Sequence, residues 1–467
     1  MKKPASKPNT KPTTKSADKF PDNSADKSIL RLTAGVDRPL IHTAGDSVRF
    51  LVVELEAPEA QQKLKSPSPA PLNLGLVIDA SGSMHGMPIE AAKEAARLLA
   101  ANLGPDDALS IVSFDTHVQV HVDGLRQDPA GRAVAALAIA SIQAGSSTNL
   151  SGGWLRGCEC VAREMATRPN LRNRVVLLSD GMANVGISQP DELSNHAAEL
   201  RARGLLSSAV GIGENYSDLQ LEAIATSGGG RLHHASNPRE IAELVLGELE
   251  ELRSTVVESC DLVLETPAGF RAELLGDYAT TLTSQRLTAV VGSFVAAARR
   301  DLVFKLTCPA GNRGDEVDLS ISATWRRPGS PQALAVPLEM IGLSYASGAR
   351  CAAQPRDTQR SMVAATTWQL AIVRAAARLN QDGELHRAND LVTRELDWFR
   401  RYCKGLPDAT TLVAQLERLA KSIGCERYAP MAAKEMYIRV QKSTRSERDY
   451  RFAASANPDW ASQLPEE

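Results

Sequence analysis

The sequence predicts an α/β protein, a doubly wound and mostly parallel sheet joined to a β-sandwich domain and a C-terminal helical unit. Three observations carry this. Between residues 72 and 252, short apolar runs alternate with segments whose apolar residues recur at helical spacing. Between 253 and 345 the chain changes to strand-like runs bounded by Pro and Gly. From 357 to 424 the spacing is helical.

Composition narrows the function classes. A chain of 467 residues suggests about two to four domains. A net charge of −2 makes no case for nucleic acid or an anionic membrane, and 4% aromatics argue against base-stacking platforms. The seven cysteines are odd in number and scattered, and Cys158-x-Cys160 has no second pair at zinc spacing. They read as reduced and structural, which fits a cytoplasmic setting. No stretch approaches the roughly 18 apolar residues of a membrane span. The basic N-terminus MKKPASKPNTKPTTK lacks the apolar core of a signal peptide.

In chain order, residues 1–28 are rich in Lys, Pro, Ser, Thr and Asp, and read as a disordered tail. Residues 29–71 hold two strand patterns, ILRLTAGV and SVRFLVVELEAP, then the Pro/Ser linker LKSPSPAP. The α/β domain, 72–252, starts with the apolar run Leu74–Ile78. A helix follows, with Pro88 in its first turn and Ile89, Ala92, Ala96, Leu99 and Leu103 on one face. Strand 108–114 comes next, with 117–125 turned back against it. Helices are expected near 130–142 and 150–167, then strand VVLLS, helix 190–203, strand 205–213, helix 217–226, strand RLHHA and helix 238–253. Gly211 and Gly213 fit a tight strand-to-helix turn better than a dinucleotide loop. His233 and His234 have no neighbouring His and suit a core or surface role better than ligation.

Residues 253–345 contain four or more short strands, a small β-sandwich in which the strands of 29–57 would pair. Residues 357–424 read as an αα-hairpin or three-helix unit, and 425–467 as a C-terminal arm.

The candidate site begins at LNLGLVIDASGSM, 72–84. Asp79, Ser81 and Ser83 follow a buried-strand pattern at alternate positions. One carboxylate and two hydroxyls suit a hard cation such as Mg2+, although Ser and Asp also cap helices. Two further segments repeat this chemistry. GSSTNL, 145–150, places Thr148 in a Gly/Ser loop before a helix, and VVLLSDG, 175–181, ends a second apolar strand at Asp180. If the strand order is 3-2-1-4-5-6, the strands ending at Asp79 and Asp180 are neighbours, and ligands bind outside their carboxyl ends.

Asp79, Ser81, Ser83, Thr148 and Asp180 together resemble the metal-ion-dependent adhesion site (MIDAS) of the von Willebrand factor A (VWA) domain, whose fold is Rossmann-like. The whole layout resembles bacterial soluble proteins of this type that are grouped with calcium-activated chloride channel homologues. The resemblance implies direct ligation by Ser81, Ser83 and Thr148, with one or both aspartates acting through water. With only two carboxylates, Mg2+ fits better than a tight calcium cage, and Mn2+ or Ca2+ are further possibilities. An open position would take a Glu or Asp from another protein. The implied function is a metal-dependent adaptor or scaffold, not an enzyme, that binds neither nucleic acid nor membrane. Met84, His85, Gly86 and Met87 would form the rim, with core filling an equal alternative for the two methionines. Two other readings stand beside this one. A metal-dependent hydrolase or phosphoryl-transfer enzyme would need Asp115 or His117 as its base. A scaffold with a purely structural metal would bind through its other domains.

Overall fold

The structure is a computed structural model. It describes residues 30–58, 70–181, 184–213, 218–235, 237–276, 278–330, 332–381 and 383–423. The expected tail 1–28, most of the Pro/Ser linker and the arm 425–467 lie outside these residues.

Three strands open the chain, β1 (Arg31–Val36), β2 (Leu40–His42) and β3 (Ser47–Glu56). The α/β layer follows, with β4 (Leu72–Asp79), α1 (Met87–Asn102), β5 (Ala108–Phe114), β6 (Val118–Arg126), α2 (Pro129–Ala140) and α3 (Leu150–Thr167). It continues through β7 (Arg172–Ser179), α4 (Pro190–Ala202), β8 (Leu205–Ile212), α5 (Asp218–Ser227), β9 (Gly229–Ala235) and α6 (Glu240–Ser254). The sheet order is β6-β5-β4-β7-β8-β9, parallel except for the antiparallel β5–β6 pair. In order of appearance this is 3-2-1-4-5-6, so β4 lies directly beside β7.

Strand alternation builds both faces of this sheet. Leu74, Leu76 and Ile78 pack with α1 and α6, whereas Val77, Val175 and Leu177 pack with α3, α4 and α5. Helix α3 lies unusually close to the sheet because two of its residues lack side chains. A Cβ on Gly153 would sit 2.3 Å from Phe114 Cδ1, and one on Gly157 2.3 Å from Val77 Cγ2. The fit places the start of α3, and the Thr148 loop before it, over the ends of β4 and β5.

Beyond α6 the chain forms β10 (Thr255–Glu265), β11 (Arg271–Leu275), β12 (Thr280–Thr283), β13 (Arg286–Val295) and β14 (Arg299–Cys308). It continues with β15 (Glu316–Arg326), β16 (Ala333–Ala335) and β17 (Glu339–Ala346). Two sheets result, β1-β3-β14-β11 and β12-β13-β10-β15-β17-β2, with β16 paired to β15. Strands from both sides of the α/β segment therefore share sheets. β3 pairs with β14 along its whole length, and β2 pairs with β17. The core between the sheets includes Leu51, Leu55, Leu262, Phe294 and Trp325. Four or more strands were expected in 253–345, and some of those present were not legible individually. The polar edge strand β12 and the short β2 and β16 carry too little apolar pattern to be read in advance.

The short α7 (Gly348–Ala353) leads to α8 (Thr358–Gln381), α9 (Leu385–Cys403) and α10 (Ala409–Ile423). The last three form an up-down-up unit over the outer face of the first sheet. Phe50, Trp368, Phe399 and Tyr402 make an aromatic cluster there. Arg378 at the far end of α8 reaches Glu222 of α5 at 2.8 Å, tying the helices to the α/β layer.

Candidate metal centre

Asp79 is the last residue of β4 and is fully buried. Its Oδ1 accepts the Ser81 backbone N–H at 2.8 Å, and its Oδ2 accepts the Ser179 hydroxyl at 2.6 Å. The first bond turns the chain sharply after the strand, and the second ties β4 to β7. A short 3-10 turn, Gly82–Met84, carries Ser83 outward. The Ser83 hydroxyl lies 3.1 Å from that of Ser81 and donates to Asp180 Oδ1 at 2.7 Å. Asp180 follows β7 directly, so adjacency in the sheet closes a gap of a hundred residues in sequence.

Thr148 arrives from the loop before α3. Its backbone N–H donates to Asn184 Oδ1 at 2.9 Å, and its carbonyl accepts from Asn184 and Val185. A Cβ on Gly181 would lie 3.3 Å from Thr148 Oγ1 and 3.8 Å from Ser83 Oγ. Both hydroxyls therefore face the same turn after β7. The structure brings Asp79, Ser81, Ser83, Thr148 and Asp180 to one crevice at the carboxyl end of the sheet.

The electrostatics are one-sided. Burial pushes the Asp79 carboxyl up to about 6, against the hydrogen bonds from Ser179 and Ser81, and Asp180 adds to the rise. Burial also raises Asp180, opposed by the Ser83 hydroxyl. Neither carboxylate has a Lys, Arg or His ion partner among the described residues. Two carboxylates and three hydroxyls, partly desolvated and without a cation of their own, fit a hard divalent ion. Among the described residues, no cluster of three or more His, Cys, Asp and Glu offers a softer or more anionic site.

Two supporting residues, Ser179 and Asn184, went unread in the sequence, and Asp115 was read only as a candidate base. Ser179 orients Asp79 through the hydroxyl contact above. Asn184 holds the Thr148 backbone. Asp115 braces the Thr148 loop, since its carbonyl accepts from Asn149 N at 2.9 Å and its Oδ2 lies 3.4 Å from Ser146 N. Gly145 is required beside it, because a Cβ there would come within 1.8 Å of Asp115 Oδ2. The only sequence-level signal for these was their place at a strand end or in loops next to the motif.

At the rim, the structure decides between the two readings of Met84. Met84 is completely buried among Leu76, Ile78 and Ile89 and belongs to the core, because the 3-10 turn points it back beneath the loop. His85, Gly86 and Met87 are exposed, Met87 to 67%. His233 is a structural residue, its Nε2 lying 2.9 Å from buried Glu248. Asp115 Oδ1 accepts the backbone N–H of His117, whose ring points into solvent. Neither residue is shown facing Asp79 or Asp180.

Residues 73–246 match the family model for the von Willebrand factor type A domain. The α/β layer is a VWA domain. A solved von Willebrand factor type A protein from Catenulispora acidiphila superimposes with a TM-score of 0.65 at 18% identity, covering 88% of this chain and 96% of that one. The ArnB paralog VWA2 from Sulfolobus acidocaldarius gives 0.56 at 15% identity, covering 90% and 98%. These likenesses concern fold, and they extend well beyond the VWA domain. In sequence, the chain is 31% identical over 196 residues to an uncharacterized Synechocystis protein, covering 42% of this chain and 45% of that one. It is 29% identical over 197 residues to rat inter-alpha-trypsin inhibitor heavy chain H3, covering 41% and 22%. The chain thus spans less than half the length of these curated relatives. Among the described residues, no helix is long and apolar enough to cross a membrane.

Proposed function

We propose that the VWA domain is a metal-dependent protein-binding module, in which Asp79, Ser81, Ser83, Thr148 and Asp180 hold one Mg2+ and a partner protein supplies an acidic side chain. The observation that carries this is the convergence of three hydroxyls and two carboxylates, the latter without a basic partner among the described residues. When bound, the ion supplies an electrophilic point for an incoming carboxylate. The chain's own part is to fix the donors. Ser81 N–H and Ser179 O–H hold both oxygens of Asp79, so it orients without swinging. Ser83, with its exposed hydroxyl, and Asp180 form the solvent side of the crevice. The Asn184 and Asp115 braces hold Thr148 in place on a loop separate from both aspartates.

A site that recognises a carboxylate favours an adaptor role, and among the described residues neither Asp115 nor His117 is shown facing Asp79 or Asp180. The described cysteines are free thiols, and all but Cys351 are buried, which supports a reducing, cytoplasmic setting.

Calorimetric titration of Mg2+ into chelator-stripped full-length protein tests this reading. One ion per chain is expected, with binding lost in Asp79→Ala. Absence of divalent-ion binding in a folded wild type overturns it. A purely structural metal predicts that EDTA unfolds the domain, whereas this reading predicts an unchanged circular-dichroism spectrum.

A further inference from the structure

Resting on that reading, we infer that the ligand surface of the VWA domain is occupied in the resting protein by the chain's own C-terminal segment, with Asp459 at the metal site and Trp460 on the apolar rim. Two exposed apolar side chains lie close in the chain or by backbone bond to the site residues. Met87 opens α1 four residues after Ser83. Val185 is 36% exposed and donates its backbone N–H to the Thr148 carbonyl at 3.3 Å. A surface of this kind suits an acidic residue next to a large apolar one. The segment NPDWASQLPEE, 457–467, contains that pair as Asp459-Trp460, in a stretch without Lys or Arg. An indole against a thioether is a favourable contact, and the carboxylate matches the cation in charge.

The last described helix ends on the side of the bundle that meets the VWA layer. α9 returns antiparallel to α8, since Trp368 bonds Glu395 while Arg356 reaches the Tyr402 carbonyl. α10 then turns back alongside α8, with Gln369 bonded to Leu412 and Gln415. Ile423 therefore finishes at the same end of the bundle as Arg378, which is paired with Glu222 of α5. α5 follows β8, the strand next to β7 and Asp180. About a dozen residues of extended chain reach ~40 Å, and residues 424–458 precede the pair, so the span is not limiting.

The test uses full-length protein and a fluorescein-labelled peptide of residues 455–467, read by anisotropy in excess Mg2+. A tethered copy at an effective concentration near 1 mM, against an intrinsic Kd on the order of 0.1 mM, weakens binding of the added peptide about tenfold. Asp459→Asn should remove that competition, so this variant binds the peptide about tenfold more tightly than wild type. EDTA should abolish binding, and adding Met87→Ala to Asp459→Asn should weaken it several-fold. Equal affinity in wild type and Asp459→Asn overturns the proposal. So does failure of Asp459→Asn to bind the peptide while calorimetry still records Mg2+, a result that leaves the metal reading intact. Loss of Mg2+ binding in wild type is the separate failure of that reading. Light scattering that finds Mg2+-dependent dimers, dispersed by Asp459→Asn, would place the segment on a second copy and overturn the intramolecular form.

Discussion

The two ends of the VWA sheet treat buried charge in opposite ways. Towards the amino end, carboxylates meet arginines. Arg174 reaches Glu248 at 3.1 Å, Arg172 reaches Glu258 at 2.9 Å, and Arg201 reaches Asp261 at 2.8 Å. The last two pairs join the VWA layer to β10 of the sandwich. At the carboxyl end, Asp79 and Asp180 share one crevice with hydroxyls alone. Paired charge at one end specifies how layers meet, whereas at the other the two carboxylates have no basic partner among the described residues, as the proposed cation site requires. On the proposed reading, the same residue type is structural or ligand-binding according to whether the fold supplies its counter-charge.

The largest expected effect lies at the paired end. Glu248→Gln should destabilise the protein by about 3–5 kcal/mol, because it leaves Arg174 charged and buried without its partner. Urea denaturation measures this. Asp180→Asn should leave stability within about 0.5 kcal/mol of wild type. Comparable losses in the two variants would erase the distinction.

The same pair sets a pH dependence. Burial works against the charge of Glu248, but Arg174, His233 and Ser208 outweigh it and hold the carboxyl well below the ordinary range. A carboxyl lowered in the folded state stabilises fully above its unfolded value, near 4.3, and loses that contribution as pH falls further. Wild-type stability should therefore fall more steeply than that of Glu248→Gln below about pH 4.3. Parallel curves would mean that the pair is not the source.

At the unpaired end, Asp180→Asn removes one of two anionic donors and should weaken Mg2+ binding by about 10- to 100-fold. Thr148→Ala should cost partner affinity more than metal affinity, because a neutral donor on a separate loop is lost. Both constants should be measured for both variants, with excess Mg2+ when the partner is titrated. If partner affinity tracks metal occupancy in both, Thr148 is a ligand and no switch. Ser179→Ala should cost about 1–3 kcal/mol of stability by stripping a buried acceptor of its donor. The smallest effect belongs to exposed Arg401–Asp397 on α9, where Arg401→Ala should change stability by less than about 0.5 kcal/mol.

The parts of this arrangement that could be read in the sequence were those with a period or a fixed offset. The apolar runs ending at Asp79 and Asp180 marked two strands, and alternation with helices implied a parallel sheet whose order makes them neighbours. The braces were not legible. Ser179 acts between the ends of two strands, Asn184 and Asp115 through bonds between loops, and no spacing rule relates Asn184 to Thr148. Met84 was ambiguous because the direction of a residue in a 3-10 turn depends on where the turn sits over the core. In the sandwich, β13 was hidden because its pairing with β10 is broken by bulges and Gly292 lies in the left-handed region, which blurs the two-residue alternation.

The pairing of β3 with β14 also bears on how the chain comes to be folded. Ribosomes deliver β1 and β3 first, yet the strand that covers the free edge of β3 emerges only after the whole VWA segment has been made. Throughout that interval the hydrophobic faces around Leu51, Val53 and Leu55 lack their mates. Long-range closure of this kind is slow, and an uncovered strand edge invites wrong pairing. Assembly of the sandwich is thus the step at which nascent chains are most exposed to aggregation, and chaperone capture would matter there more than at the metal site.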